Sequence, residues 1–202
     1  MKSRIFLVFL LVSCFWFPVF AESNAADACR KDAGEKRFFS GIEFLSGFGT
    51  AHLQEKGRYD VIPLYVDFDF DLKPFLQKTG FCPPGLLQFV EEPFLAGVSN
   101  PNGNIEAGNN FVLKIGILPE TSRIQPYVKG GIGFLYMSQH TREQGTQFNF
   151  NEFIGFGIHL FVKKNLAFTV EYRYRHLSNS DIDKPNRGIN SNFGLCGLSY
   201  IF

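Results

Sequence analysis

The sequence predicts an all-β chain that closes into an eight-stranded antiparallel transmembrane β-barrel, and three observations indicate this fold. The 202 residues include 25 Phe and 20 Gly, with 19% charged residues, which is typical of one domain rich in strands. Apolar and polar residues alternate along segments of about ten residues, the length of a tilted strand that crosses a bilayer. After Ala21 no stretch approaches the ~20 consecutive apolar residues of a transmembrane helix, so a membrane span must be a barrel.

The first 21 residues have the pattern of a secretory signal peptide. Two basic residues precede an apolar run over 5–20, and Ala21 supplies the small residue of a cleavage site. Cys14 ends a sequence that resembles a lipoprotein cleavage box, but the chain stays apolar beyond it, which favours a signal peptide. We therefore expect residues 1–21 to be removed and the mature chain to lie in the bacterial outer membrane.

Residues 22–36 are rich in Ala, Asp and Lys, and their apolar residues follow no regular spacing. We expect a loose periplasmic lead-in there. The barrel is predicted over 37–202. The mature chain keeps Cys29, Cys82 and Cys196, whose spacing does not indicate a metal site. A disulfide between Cys29 and Cys82 is left open.

Eight segments have the character of strands. They cover 38–50, 59–72, 86–98, 110–118, 124–138, 148–162, 166–176 and 189–202. The second segment shows the period of two clearly, because its apolar face is formed by Ile62, Leu64, Val66, Phe68 and Phe70. Its other face carries Asp67, Asp69 and Asp71, and in a membrane barrel the apolar face meets lipid.

The seventh segment alternates in the same way and places Arg173 and Arg175 on its polar face. The interior of an eight-stranded barrel is only wide enough for side chains, so we expect these arginines to pair there with the three aspartates of the second segment. A filled and charged lumen argues against an open pore. It also argues against a passive carrier of apolar molecules.

The connections alternate between short and long. The spans 119–123 and 163–165 are short, whereas 99–109, 139–147 and 177–188 are longer. Short periplasmic turns and long outer loops are the bacterial pattern, although 73–85 is a long connection on the short side. The last segment ends on Phe202, which looks like the assembly signal of bacterial outer-membrane barrels.

Counting residues by twos along the seventh and eighth strands places two polar side chains on one patch of the outer wall. With both termini periplasmic, His176 lies at the outer end of the seventh strand and shares the outward parity of Tyr174. Counting back by twos from Phe202 gives Asn190 the same outward parity on the eighth strand. Ser178 projects from the same face as His176, which makes the pair a candidate base and nucleophile. The plain alternative is a strand end followed by a turn.

At this point the residues resemble a known family, the lipid A 3-O-deacylases of the PagL type. The resemblance rests on His176-Leu177-Ser178-Asn179 followed by Asn186-Arg187-Gly188-Ile189-Asn190. It implies that Ser178 attacks the ester carbonyl of the 3-position acyl chain, with His176 as general base. It also implies lipid A, or lipopolysaccharide, as the substrate.

The third catalytic position of the family is a Glu, and Asn190 occupies it here. An Asn can accept the imidazole N–H bond and hold the ring, as in Cys-His-Asn enzymes, but it offers no negative charge. We therefore expect weaker electrostatic support. Asp181 or Asp183 in the following loop could supply a carboxylate instead.

Three further residues complete the predicted site. Asn179 is the candidate oxyanion donor. Lys184 and Arg187 are candidates for contact with the substrate phosphates. We expect no cofactor and no metal, since the Asp67-x-Asp69-x-Asp71 pattern lacks the glycine of a calcium loop.

The net charge of +1 and the absence of a basic run exclude nucleic acid as an expected partner. The expected partners are the outer membrane and its lipopolysaccharide, and a homodimer is left open. The alternative function is a non-enzymatic eight-stranded outer-membrane barrel with a structural or adhesive role. In that alternative, binding would depend on the loops 99–109 and 139–147.

Overall fold

The computed structural model describes residues 38–81 and 83–202, which form a closed antiparallel barrel with the strands in chain order and β1 paired to β8. The strands are β1 (Phe39–Leu53), β2 (Gly57–Asp71), β3 (Leu87–Asn100), β4 (Asn104–Gly116), β5 (Ile124–Met137), β6 (Phe148–Lys163), β7 (Leu166–Ser178) and β8 (Ile189–Ile201). A short helix, α1 (Lys73–Leu76), and a 3-10 turn (Gln77–Thr79) lie between β2 and β3. The predicted fold class is confirmed. The predicted signal peptide, the lead-in and the Cys29–Cys82 pairing lie outside the described residues.

Side chains alternate between the lumen and the outer wall because successive residues of a strand point to opposite faces. On β2, Asp67 and Asp69 are buried in the lumen, whereas Ile62 is 54% exposed and Leu64 is 50% exposed on the outer wall. Large apolar side chains are exposed in this way on all eight strands. Such a continuous apolar surface is stable in lipid rather than in water.

The two ends of the barrel carry different connections. The loop end carries 54–56, 101–103, 138–147 and 179–188, and the terminal end carries 72–86, 117–123 and 164–165 together with Phe202. The predicted long loop over 99–109 is wrong, because β4 already begins at Asn104. Glu106 explains the difference, since its carboxylate points into the lumen and binds Arg175 and the hydroxyl of Tyr59.

Buried ion pairs fill the lumen at mid-depth. The ammonium of Lys114 contacts Glu43 at 2.9 Å and Asp69 at 3.0 Å, and that of Lys129 contacts Asp67 at 3.2 Å. These β2 aspartates therefore pair with lysines of β4 and β5. The predicted pairing of the β2 aspartates with Arg173 and Arg175 is wrong.

The arginines of β7 bind glutamates instead. Both terminal nitrogens of Arg173 donate to Glu92 at 2.7 Å, and its Nε donates to Glu171 at 2.9 Å. Arg175 donates to Glu106 at 2.7 Å. The depth at which each side chain reaches the barrel axis decides these partners, and that depth depends on the register of all the strands between them.

The terminal end opens into a cavity of about 770 Å³ lined in part by Asp71, Gln88 and Gln125. Beyond it lie the ion pairs, in which the side chains of Lys114, Lys129 and Glu92 have no exposed surface. The barrel interior is therefore packed at mid-depth. Within the described ranges, no helix is both long and apolar enough to cross a bilayer.

Candidate active site

His176 and Asn190 face each other on the outer wall at the loop end. They are cross-strand partners of β7 and β8, and His176 Nδ1 lies 2.6 Å from Asn190 Oδ1. An amide oxygen only accepts hydrogen bonds, so the imidazole hydrogen lies on Nδ1. In the neutral ring Nε2 then keeps its lone pair, which is what a general base requires.

Gly188 supports the ring of His176 from the β7–β8 loop. A Cβ atom at this position would lie 2.5 Å from His176 Cε1, closer than real Cβ contacts allow. The backbone of Gly188 also has a φ of 76°, in the left-handed region that glycine adopts without strain. The sequence analysis assigned no role to Gly188. Its place two residues before Asn190 is the feature of the sequence that could have indicated one.

Ser178 is the last residue of β7 and shares the outward face of His176. It is half-buried and lies opposite Phe150 of β6. Among the hydrogen bonds of the described residues, none joins Ser178 to His176. A bond between a nucleophile and its base often forms only when substrate is bound.

Asn179 follows directly and organises the β7–β8 loop, 179–188. Its side chain is fully buried, and its amide nitrogen donates to the carbonyl of Asp183 at 2.7 Å. Its amide oxygen accepts the N–H of Asp181 at 3.0 Å, and its own backbone N–H donates to Asn186 Oδ1 at 3.0 Å. Both kinds of donor on the candidate oxyanion residue are thus engaged within the loop.

Asn186 is a second organiser of this loop, and sequence reasoning assigned it no function. Its Nδ2 donates to Asp181 Oδ1 at 3.2 Å while its Oδ1 holds the Asn179 backbone. Asp183 Oδ1 accepts the N–H of Lys184. Neither Asp181 nor Asp183 makes a hydrogen bond to His176 in the described structure, so the loop carboxylates stay within the loop.

The loop is tied to its neighbour 138–147 and to the β1–β2 turn. The N–H of Gly145 donates to the carbonyl of Pro185 at 2.7 Å, and the N–H of Arg187 donates to the carbonyl of Glu143 at 2.8 Å. The guanidinium of Arg187 donates to Gln54 Oε1 at 2.6 Å. Lys184 and Arg187 are both exposed on this rim.

No group of three or more His, Cys, Asp and Glu side chains in the described parts of the chain is arranged to hold a metal ion. At the loop end, the outer wall carries the imidazole of His176, the hydroxyl of Ser178 and the amide of Asn190. This set suits acyl transfer by an activated serine.

Comparisons with known proteins agree with this fold. The family model described as lipid A 3-O-deacylase (PagL) matches residues 66–199. The crystal structure of the outer membrane enzyme PagL is similar with a TM-score of 0.58 and 20% identity, covering 78% of this chain and 97% of that chain. The crystal structure of Neisserial surface protein A is similar with a TM-score of 0.59 and 11% identity, covering 81% of this chain and 97% of that chain.

At these identities the two structures establish the fold alone, and no curated protein matches the sequence. The family model carries more, because it spans more than half of the chain and its range includes His176, Ser178 and Asn190. The chain belongs to the lipid A 3-O-deacylase family, and its barrel is an outer-membrane barrel.

Proposed function

We propose that this protein is an outer-membrane lipid A deacylase that hydrolyses the ester-linked 3-position acyl chain of lipopolysaccharide. The observation that carries the proposal is the hydrogen bond between His176 and Asn190 on the outer wall, with Ser178 on the same face. Membership of the deacylase family supports the substrate class. The site is an ester hydrolase site that opens toward lipid.

Ser178 is the nucleophile of this mechanism. Its Oγ attacks the ester carbonyl while His176 Nε2 takes the hydroxyl proton, and a tetrahedral intermediate forms. Collapse of the intermediate breaks the ester C–O bond, and the proton on Nε2 passes to the sugar oxygen that leaves. Water then hydrolyses the acyl-serine with His176 again as the base. This step releases the fatty acid and restores Ser178.

Asn190 orients the ring in the proposed mechanism. Its oxygen fixes the tautomer by accepting the Nδ1 hydrogen, but it leaves the imidazolium without a charged partner. Asn179 is retained as the oxyanion candidate. To meet the developing charge, it must exchange one of the bonds that it now makes to Asp183 or Asn186.

Lys184 and Arg187 are proposed to contact the phosphates of the substrate. Both lie at the rim above the outer wall, where the polar head of an outer-leaflet lipid would lie. Arg187 already donates to the neutral amide of Gln54, so its charge is uncompensated by that contact. Charge-assisted bonds from such groups favour phosphate oxygens.

The first test is expression in the outer membrane of a Gram-negative host, with lipid A examined by mass spectrometry. We expect the wild type to remove one hydroxyacyl chain. Ser178→Ala and His176→Ala should lower the rate by on the order of 10⁴ to 10⁶, which leaves lipid A unchanged. The change is chemical, so both variants should insert normally.

Ser99→Ala is the matched control, because Ser99 is an exposed hydroxyl at the loop end of another strand. It should behave as the wild type. Unchanged lipid A with correctly inserted wild-type protein would contradict the proposal. That result would favour a non-enzymatic barrel.

A further inference from the structure

The outer face of β6 carries a single carboxylate among apolar side chains. Glu152 is exposed, and the outward-facing residues around it are large and apolar: Phe148, Phe150, Ile154, Phe156, Ile158 and Leu160. A charged side chain on the lipid face of a barrel is unfavourable to a degree that depends on its depth. Ionisable residues in such a position commonly have a function.

The register places Glu152 directly beside the proposed base. Glu152 of β6 is the cross-strand partner of His176, and His176 is the cross-strand partner of Asn190. The three residues form one row across three strands on the outer wall. Directly opposed residues have Cβ atoms about 4.5–5.5 Å apart, which is within reach of a glutamate side chain.

The two neighbours of His176 in this row differ in charge. Asn190 and Gly188 occupy the β8 side of the ring, and Glu152 lies on the β6 side. Within the described structure Glu152 makes no ion pair and no side-chain hydrogen bond. Its carboxylate is therefore available to a charge that develops beside it.

The other titratable groups near this end of the outer wall are placed differently. Tyr174 lies two residues before His176 on β7, and His52 lies on β1, beyond β8. The β7–β8 loop contains the remaining groups, which are Asp181, Asp183, Lys184 and Arg187. Of the described carboxylates, only that of Glu152 is directly opposite His176 in the register.

We infer that Glu152 supplies the negative charge that Asn190 lacks, and thereby stabilises the imidazolium of His176 during ester hydrolysis. This inference rests on the proposed function. Glu152 is a positioning residue: it takes up no proton, and it acts through His176. In a Ser-His-Asp triad one carboxylate both orients the ring and stabilises its charge. Here Asn190 orients the ring from one side and Glu152 supplies the charge from the other.

The test is the rate of lipid A deacylation by Glu152→Gln, in purified protein with lipid A in mixed micelles. We expect kcat to fall roughly tenfold to a hundredfold with KM unchanged, because the imidazolium that forms during the reaction loses its charged neighbour.

Glu91→Gln is the matched control. Glu91 is also an exposed carboxylate on the outer wall, but it lies on β3, across the barrel from β7. It should leave kcat and KM unchanged. A loss caused merely by changing wall polarity would appear in both variants.

Rescue separates a charge at His176 from a contact with the substrate. Asn190→Glu returns a carboxylate to the other side of the ring, so combining it with Glu152→Gln should restore kcat. A Glu152→Gln enzyme with wild-type kinetics would overturn the inference. So would a loss of rate that Asn190→Glu does not restore, because Glu152 would then act on the substrate.

These outcomes are distinct from failure of the proposed function. If the wild type and Ser178→Ala leave lipid A equally intact, the deacylase proposal itself fails. If the wild type is active, Ser178→Ala is inactive and Glu152→Gln matches Glu91→Gln, only the role of Glu152 fails.

Discussion

At the end of β7, a few atoms determine how the ring of His176 is held. One hydrogen bond to Asn190 fixes its tautomer. Gly188 has no side chain, which leaves space for the ring of His176. Parity along the strands was sufficient to bring His176 and Asn190 together from the sequence, because strand side chains repeat every two residues. Parity says nothing about Gly188, which lies outside the strands.

Gly188→Ala should displace the ring. The new Cβ would lie 2.5 Å from His176 Cε1, and alanine is strained at a φ of 76°. We expect the deacylation rate to fall at least about tenfold, since small misplacements of catalytic groups cost up to about a hundredfold. The rate is measured by mass spectrometry of released fatty acid from purified enzyme.

Gly57→Ala is the control for backbone strain alone. Gly57 has a φ of 72°, but no atom lies within 4 Å of an added Cβ. Equal losses of activity in the two variants would show that strain, and not contact with His176, is responsible.

At the scale of elements, strand positions were predictable but strand ends were less so. The predicted fourth strand began at 110, whereas β4 begins at Asn104. Its extension depends on Glu106 meeting Arg175 from another strand, which no local pattern reveals. The role of Glu152 was missed for a related reason. It requires the register between β6 and β7, which the turn 164–165 sets together with the register shift between Phe161 and Lys163.

The β7–β8 loop depends on Asn179, so Asn179→Ala should loosen it. The substitution removes the side-chain bonds to Asp183 and Asp181, each contributing about 1 kcal/mol. We expect faster proteolysis within 179–188 and lower activity, with the barrel intact. Limited proteolysis followed by mass spectrometry measures this change.

Asn102→Ala, in the β3–β4 turn at the same end, should leave both properties unchanged. An Asn179→Ala protein that loses activity while its loop resists protease as the wild type does would contradict a purely organising role. That result would favour oxyanion donation by Asn179.

On the scale of the whole molecule, the lumen charges act as one network. The sequence indicated that acidic and basic residues face inward. It did not reveal that Arg173 meets Glu92 of β3, because partners across a closed barrel depend on its tilt and on every intervening register. Such a network stabilises the barrel only while its charges remain paired.

Arg173→Met should therefore destabilise the barrel by about 3–5 kcal/mol, because Glu92 and Glu171 lose a buried partner. Urea unfolding in lipid vesicles measures the change. Without Arg173, both glutamates depend on the ammonium of Lys129, which lies 3.0 Å from each. Adding Glu92→Gln should recover part of the loss by removing one of the two carboxylates. Arg58→Met, which breaks a pair whose arginine is largely exposed, should leave the stability nearly unchanged.

The packed lumen also determines how a substrate would meet the proposed site. Because the interior is closed at mid-depth and the His176 row lies on the outer wall, the proposed function requires that lipid arrives and products depart by diffusion within the plane of the membrane. Encounter is then a two-dimensional search. The relevant concentration is the mole fraction of a lipid in the outer leaflet, and the bilayer itself would form the second wall of the proposed site.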